Sequence, residues 1–164
     1  MRTGNVTIRT DLRPGDIGYV TYLHGKLYSK EYDFGVQFES YVAESLHEFQ
    51  KQYDPKRNRV WVCEDGDEIV GFMALMDRGA AAQLRYFILL PEYRGTGLGN
   101  KLMKLFMEFM RSCGYTSSYL MTTDELRAAA HLYMKYGYRL TEEKESNAFG
   151  KPLREQRYDL ILNN

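Results

Sequence analysis

An apolar run, a glycine-rich turn and the start of a helix follow one another in Leu84-Arg-Tyr-Phe-Ile-Leu-Leu-Pro-Glu-Tyr-Arg-Gly-Thr-Gly-Leu-Gly-Asn-Lys-Leu-Met-Lys-Leu105. Closely spaced glycines let backbone N–H groups approach an anion, and a helix beginning near Gly97 aims its unpaired N-terminal amides at the same point. Arg94 adds a fixed positive charge. The segment therefore predicts a phosphate-binding site formed by Arg94, Gly95, Thr96, Gly97, Leu98, Gly99 and Asn100.

The glycine spacing narrows the choice of phosphate ligand. Gly95, Gly97 and Gly99 lack the two-residue gap of the dinucleotide fingerprint, and no Lys-Ser or Lys-Thr pair follows, as a nucleotide-triphosphate loop requires. Both common nucleotide motifs are thereby disfavoured. A turn that only reverses the chain into a helix remains the structural alternative.

Composition indicates one compact domain over residues 1–164, because 44% hydrophobic content suits a sizeable core. Twenty-two basic residues balance twenty-two acidic ones, so net charge favours neither nucleic acid nor an anionic membrane as a partner. Cys63 and Cys113 are too few for a disulfide framework and lack metal-ligand neighbours. So few cysteines favour a reducing, cytoplasmic compartment. No apolar run reaches signal or membrane-spanning length.

Hydrophobic periodicity predicts seven strands and four helices. The strands are expected at 6–10, 59–64, 68–76, 83–90, 116–122, 138–145 and about 154–162, and the helices at 17–30, 37–53, 97–113 and 124–136. The turn Asp65-Gly66-Asp67 predicts a hairpin, and Gly137 predicts a helix C-terminal cap.

A second motif runs from Ala129 to Tyr138, with Leu132, Tyr133 and Gly137 between them. Together with Arg94-x-x-Gly97-x-Gly99, it resembles the GCN5-related N-acetyltransferases (GNAT) in both pattern and order. Stretches within residues 12–38, 84–87 and 155–160 further resemble the acetyltransferase half of proteins that fuse this domain to a MarR-type DNA-binding domain. Because the resemblance covers only the acetyltransferase half, we expect no DNA-binding role from it.

The resemblance implies an α/β fold with a mixed, largely antiparallel sheet of about seven strands, splayed between strands 4 and 5 and flanked by about four helices. It also implies that acetyl-coenzyme A is the cosubstrate and that no metal is needed. The pantetheine arm is expected along Phe87, Ile88 and Leu89, with its pyrophosphate on the amides of residues 95–100. Where many family members keep an asparagine, three residues before Ala129, this chain has Leu126.

Tyr133 occupies the place where many members keep a tyrosine that protonates the departing thiolate. A phenol suits this role because it holds its proton at neutral pH. A buried tyrosine that only packs against the sheet is the alternative. The aromatic residues from Tyr19 to Phe34 likewise have two interpretations, a lid over the acceptor or helix packing on the sheet.

The sequence indicates the residues that would bind and deprotonate the acceptor less directly than those that would bind the cofactor. Arg85 stands where histone acetyltransferases keep a glutamate base, and a guanidinium cannot accept a proton. Arg85 instead suggests an acceptor bearing a carboxylate, a structural ion pair being the alternative. Glu31 is the first candidate base, and Tyr28 beside it a candidate acceptor-binding residue. Other candidates for proton acceptance are a chain of waters or His24, Glu39, Glu125 and His131.

We therefore expect an N-acetyltransferase acting on the primary amine of a small metabolite or an amino-acid-like acceptor, without nucleic acid or membrane as partners. Acetylation of a protein lysine or N-terminus, and acyl-coenzyme A binding without catalysis, remain alternatives. Monomer and homodimer are both compatible with the sequence.

Overall fold

The computed structural model describes residues 5–163. Within this range the chain forms seven β-strands, four α-helices and one short 3-10 helix. The strands are β1 (Val6–Arg9), β2 (Arg59–Asp65), β3 (Glu68–Arg78), β4 (Ala81–Leu89), β5 (Ser117–Thr123), β6 (Arg139–Ser146) and β7 (Leu153–Ile161). The helices are α1 (Asp16–Tyr32), α2 (Val36–Lys51), α3 (Leu98–Ser112) and α4 (Arg127–Lys135), and the 3-10 helix is Pro91–Tyr93.

The strands form one mixed sheet in the order β1-β2-β3-β4-β5-β7-β6. Every neighbouring pair is antiparallel except β4 and β5, which run parallel. The predicted fold is thereby confirmed.

Apolar clusters lie on both faces of the sheet because residues of the central strands alternate between them. On β2, Trp61 and Cys63 join the cluster that contains α3, whereas Val60 and Val62 join the cluster that contains α1 and α2. The middle of the sheet is therefore buried on both faces. This is why the central part of β2 is a continuous apolar run, from Val60 to Cys63.

The parallel pair is short. Residues Ala81–Leu84 pair with Ser117–Leu120. Beyond Leu84 and Leu120 the two strands continue but no longer pair with each other. The splay that the family resemblance implies is therefore present, at the carboxyl ends of β4 and β5. Both cavities described below open there.

The helix boundaries differ from the sequence-based expectation by one to three residues, and two of the differences have a clear physical reason. Helix α4 begins at Arg127 instead of residue 124, because Asp124 bonds to β7: its N–H donates to the Arg154 carbonyl, and its carboxylate accepts from the Arg154 N–H. Helix α3 begins at Leu98, since Gly97 has φ of 90° and caps the helix from outside. The short 3-10 helix at Pro91–Tyr93 was not predicted.

Neither a membrane-crossing helix nor a metal-binding cluster occurs in the part of the chain that the structure describes. None of its helices combines the length and apolarity needed to traverse a bilayer. No three histidine, cysteine, aspartate or glutamate side chains come together as a candidate metal site. Both cysteines are free, and burial raises the pKa of the Cys63 thiol to about 12.

Candidate active site

The site is built around a bulge in β4. Tyr86 has φ of 56°, a left-handed conformation that is unusual for a bulky residue. The β3–β4 register shifts at the same place, where Phe72 pairs with Ile88 but Ala74 pairs with Arg85. A bulge bends the strand and re-aims its groups. Here it lies at the first residues of β4 beyond the β5 pairing.

Two cavities meet at the splay. The first, of about 120 Å³, lies between β4, β5 and helices α1 and α2. The second, of about 330 Å³, follows β4 to the glycine loop and reaches α4. Tyr28, Phe87 and Leu126 line both cavities, so they adjoin one another. A molecule lying in the larger cavity can present one end to the smaller.

The glycine loop forms one end of the larger cavity. Gly95 and Gly97 have φ of 72° and 90°, which turns the chain sharply before α3. The Lys101 N–H donates to the Gly97 carbonyl, so the amides before Lys101 belong to the unpaired first turn of the helix. The loop and the helix N-terminus therefore have the backbone geometry that suits an anion.

Eight of the predicted cofactor residues line the larger cavity: Phe87, Ile88, Leu89, Arg94, Gly95, Gly97, Gly99 and Asn100. Thr96 and Leu98 are not part of this lining. The Thr96 hydroxyl donates to the Tyr93 carbonyl, and the Leu98 side chain is buried in the core. The Asn100 side-chain oxygen accepts from Tyr136 and Lys135.

Arg94 and Glu31 form a bidentate ion pair. Both guanidinium Nη atoms donate to the Glu31 carboxylate oxygens at 2.8 Å, and Arg94 Nε donates to the Leu89 carbonyl at 3.2 Å. Arg94 thus connects α1 to the end of β4, and the pKa of Arg94 is raised by the hydrogen bond to Glu31. Glu31 lies outside the described lining of both cavities, so the structure does not bring it together with Arg85 and Tyr133.

Tyr133 lines the smaller cavity from the end of α4. The predicted cap at Gly137 holds it there: the Tyr138 N–H donates to the Tyr133 carbonyl and the Gly137 N–H to the Met134 carbonyl. The Tyr133 hydroxyl has no hydrogen-bond partner among residues 5–163. Burial, followed by the effect of Tyr28, raises the pKa of Tyr133, so the phenol remains protonated.

Arg85 also lines the smaller cavity and has no carboxylate partner among residues 5–163. Its guanidinium donates to the Tyr41 hydroxyl at 3.1 Å and lies 4.8 Å from the centre of the Tyr86 ring. The alternative of a structural ion pair is not what the structure shows. Much of the remaining wall is aromatic, formed by Tyr28, Phe34, Phe38, Tyr41, Tyr86 and Phe149.

The aromatic residues of α1 were interpreted from the sequence as either a lid or helix packing, and they do not all have the same surroundings. Tyr28 stacks on Phe38 of α2 with ring centres 4.8 Å apart, while it also lines both cavities. Tyr19 and Tyr22 are exposed. Packing and cavity lining therefore coincide at Tyr28.

Two of the other candidate bases, His24 and Glu125, have contacts or surroundings that do not favour proton acceptance from an acceptor. His24 lines the smaller cavity, but burial lowers its pKa to about 4, and Nδ1 lies 2.8 Å from the Val20 carbonyl. One Glu125 oxygen accepts from Lys151, and the other is buried without a partner. None of the three candidates Glu39, Glu125 and His131 lines either cavity.

Several lining residues were not predicted. In the smaller cavity they include Gln83, Thr123, Phe149 and Glu155, and in the larger one Ala128 and Leu132. Thr123 and Glu155 are opposite each other in the β5–β7 register, a pairing across 32 residues of chain that carries no local sequence signal. Thr123 Oγ1 is buried without a hydrogen-bond partner.

The split sheet, the glycine loop at the end of the split and the two adjoining cavities define an enzyme of the acyltransferase class with a GNAT fold. The family profile described as an acetyltransferase (GNAT) domain matches residues 56–140, just over half of the 164-residue chain. The chain therefore belongs to the GNAT acetyltransferase family.

Two relatives and one solved structure illustrate the similarity. N-acetyltransferase family 8 member 2 of Rattus norvegicus is 30% identical over 66% of this chain and 52% of its own length. Spermidine N(1)-acetyltransferase of Escherichia coli is 28% identical over 78% of this chain and 70% of its own length. An acetyltransferase from Salmonella typhimurium, solved with acetyl-CoA, superposes with a TM-score of 0.71 at 20% identity over 98% of this chain and 96% of its own. The chain spans about half the length of the rat relatives.

Proposed function

We propose that this chain transfers an acetyl group from acetyl-coenzyme A to the amine of a small acceptor that bears a carboxylate. One observation carries the proposal: a phosphate-type cradle leads along β4 to a cavity in which Arg85 lacks an acidic partner. The cradle fits the cofactor, and the guanidinium fits the acceptor.

The cofactor is assigned to the larger cavity. The amides of residues 95–100 suit its pyrophosphate, and the exposed strand edge of Phe87, Ile88 and Leu89 suits the amides of its pantetheine arm. Acetyl-coenzyme A supplies the activated acyl group in the form of a thioester. Arg94 can add charge to the cradle once its guanidinium turns from Glu31.

The protein's own groups supply the remaining chemistry. Backbone N–H groups at the β4 bulge, near Phe87, are placed to stabilise negative charge on a carbonyl oxygen. Tyr133 holds a proton beside the smaller cavity and can donate it to a departing thiolate. Much of the wall around them is aromatic.

The acceptor is assigned to the smaller cavity. Arg85 can bind its carboxylate in a fork-like pair, and the aromatic wall, to which Tyr28 contributes, suits an apolar side chain. A polycation such as spermidine, named as the acceptor of the Escherichia coli relative, would meet the positive charge of Arg85. The favoured acceptor is therefore an amino acid with an apolar side chain.

Arg85→Met is expected to lower kcat/KM for L-phenylalanine by about 10²-fold, because it removes a charge-assisted pair while keeping a long side chain. The same variant should leave kcat/KM for phenethylamine, which lacks only the carboxylate, within about threefold of the unchanged protein. Thiol release from acetyl-coenzyme A measures both rates. Equal losses for the two amines, or preference for spermidine or peptide amines, would contradict the proposed acceptor class.

Glu31→Gln is expected to tighten acetyl-coenzyme A binding about two- to fivefold, because a partly exposed ion pair worth roughly 0.2–1 kcal/mol no longer holds Arg94. Titration calorimetry measures the change, and Arg94→Ala, which should weaken binding, is its counterpart. Weaker binding in Glu31→Gln would show instead that Glu31 orients Arg94 for the cofactor. Glu31 as general base stays a prediction, and a loss of kcat above about 10²-fold in this variant would support it.

Four further sequence-based expectations stay predictions. They are the resemblance to MarR fusions, the cytoplasmic location, a possible homodimer, and the absence of nucleic acid and membrane as partners. The proposed reaction is independent of them.

A further inference from the structure

Glu155 is a carboxylate without a partner on the wall of the acceptor cavity. It lies on β7, partly buried, and no described residue forms a hydrogen bond or ion pair with it. Two neighbouring carboxylates of the β6–β7 hairpin are matched: Glu143 pairs with Arg154, and Asp159 with Arg157. Lys144 is opposite Glu155 in register and makes no ion pair with it.

Among the described residues that line this cavity, Arg85 is a cation and Glu155 an anion, and neither forms an ion pair. Arg85 comes from β4 and Glu155 from β7, on either side of β5. Between them Thr123, which is 5% exposed, has a hydroxyl without a hydrogen-bond partner. Unpaired polar groups on a cavity wall complement a ligand with matching groups. A zwitterion with a carboxylate and an ammonium group matches both charges.

We propose that Glu155 binds the ammonium group of the acceptor and takes up its proton, while Arg85 binds the carboxylate. The inference rests on the proposed acetyl transfer and adds to it both a base and a charge pattern for the acceptor. The remaining titratable groups on the wall are His24 of α1, Tyr28 of α1, Tyr41 of α2, Tyr86 of β4 and Tyr133 of α4. Burial keeps His24 neutral, because its pKa is lowered to about 4.

The proton balance is complete with groups already present. The ammonium loses one proton to the Glu155 carboxylate, and the neutral amine attacks the thioester carbonyl carbon to form the C–N bond. As the C–S bond breaks, the thiolate takes a proton from Tyr133, and the second amine proton restores the phenol. Glu155 then releases its proton to solvent. The products are the N-acetylated acceptor, coenzyme A as the thiol and one proton.

Glu155→Gln tests the inference because it removes charge and basicity at nearly constant volume. With L-phenylalanine at pH 7, kcat/KM should fall by about 10²-fold, and Glu155→Asp should recover part of the loss. In Glu155→Gln, kcat/KM should rise about tenfold per pH unit until the amine loses its own proton in solution, whereas the unchanged protein should level off at lower pH. Glu145→Gln, an exposed β6 carboxylate outside the cavity, is the matched control.

Acceptors that differ in charge separation extend the test. β-Alanine, γ-aminobutyrate and 6-aminohexanoate compare the distance between the two charges, and phenethylamine lacks the carboxylate. An unchanged pH profile in Glu155→Gln, with amino acids still acetylated, would overturn the role of Glu155 and leave the proposed function standing. No acetylation of any amine by a protein that binds acetyl-coenzyme A would overturn both.

Discussion

Gly97→Ala is expected to weaken acetyl-coenzyme A binding by about tenfold or more. Gly97 holds φ of +90° immediately before α3, where an L-residue costs about 1–2 kcal/mol. The loop can avoid that cost only by turning its amides away from the cavity they line. Titration calorimetry with acetyl-coenzyme A measures the loss directly.

Gly114→Ala is the matched control for this prediction. Gly114 has φ of +79°, has open space where a Cβ would be added and lies outside the larger cavity. The two variants should therefore lose similar thermal stability, while only Gly97→Ala loses affinity. Equal cofactor affinity in both variants would show that the loop conformation does not determine binding.

Tyr133→Phe is expected to lower kcat by about 10²-fold and to change KM for either substrate by less than about threefold. The substitution removes only the hydroxyl, which has no hydrogen-bond partner among residues 5–163, so the fold loses little. Burial raises the pKa of Tyr133 and keeps the proton available for a departing thiolate. Thiol release at saturating acetyl-coenzyme A and L-phenylalanine measures the effect.

Tyr158→Phe provides the comparison for Tyr133→Phe. Tyr158 is also buried, and its ring centre is 6.4 Å from that of Tyr133, but it is not part of the described cavity linings. Its variant should keep kcat within about threefold. An unchanged kcat in Tyr133→Phe would remove the phenol from the mechanism and leave it a packing role.

The features predicted well from the sequence are those encoded locally. Alternating and helical apolar patterns gave all seven strands and four helices of the described range. Gly97 and Gly137 act through their own backbone angles, φ of 90° and 100°, so their roles at the two ends of the site could be inferred from their neighbours in the chain. The splay came only from the family resemblance, because periodicity does not show where two strands part.

The features that could not be predicted depend on contacts between distant residues. Glu31 was a candidate base because of its aromatic neighbours, yet it contacts Arg94 across 63 residues. Glu155 reaches the smaller cavity through the pairing of β7 with β5. The left-handed Tyr86 follows from a bulge that also depends on β3. Such placements are set by tertiary packing, which overrides local preference.

A crystal structure of the protein with acetyl-coenzyme A tests the central claim most directly. We predict the pyrophosphate on the amides of residues 95–100, the pantetheine arm beside Phe87, Ile88 and Leu89, and the thioester sulfur within hydrogen-bond reach of the Tyr133 hydroxyl. Arg94 should then contact phosphate instead of Glu31. A pyrophosphate bound away from the glycine loop, or a thioester directed away from the cavity shared by Arg85 and Tyr133, would contradict the account.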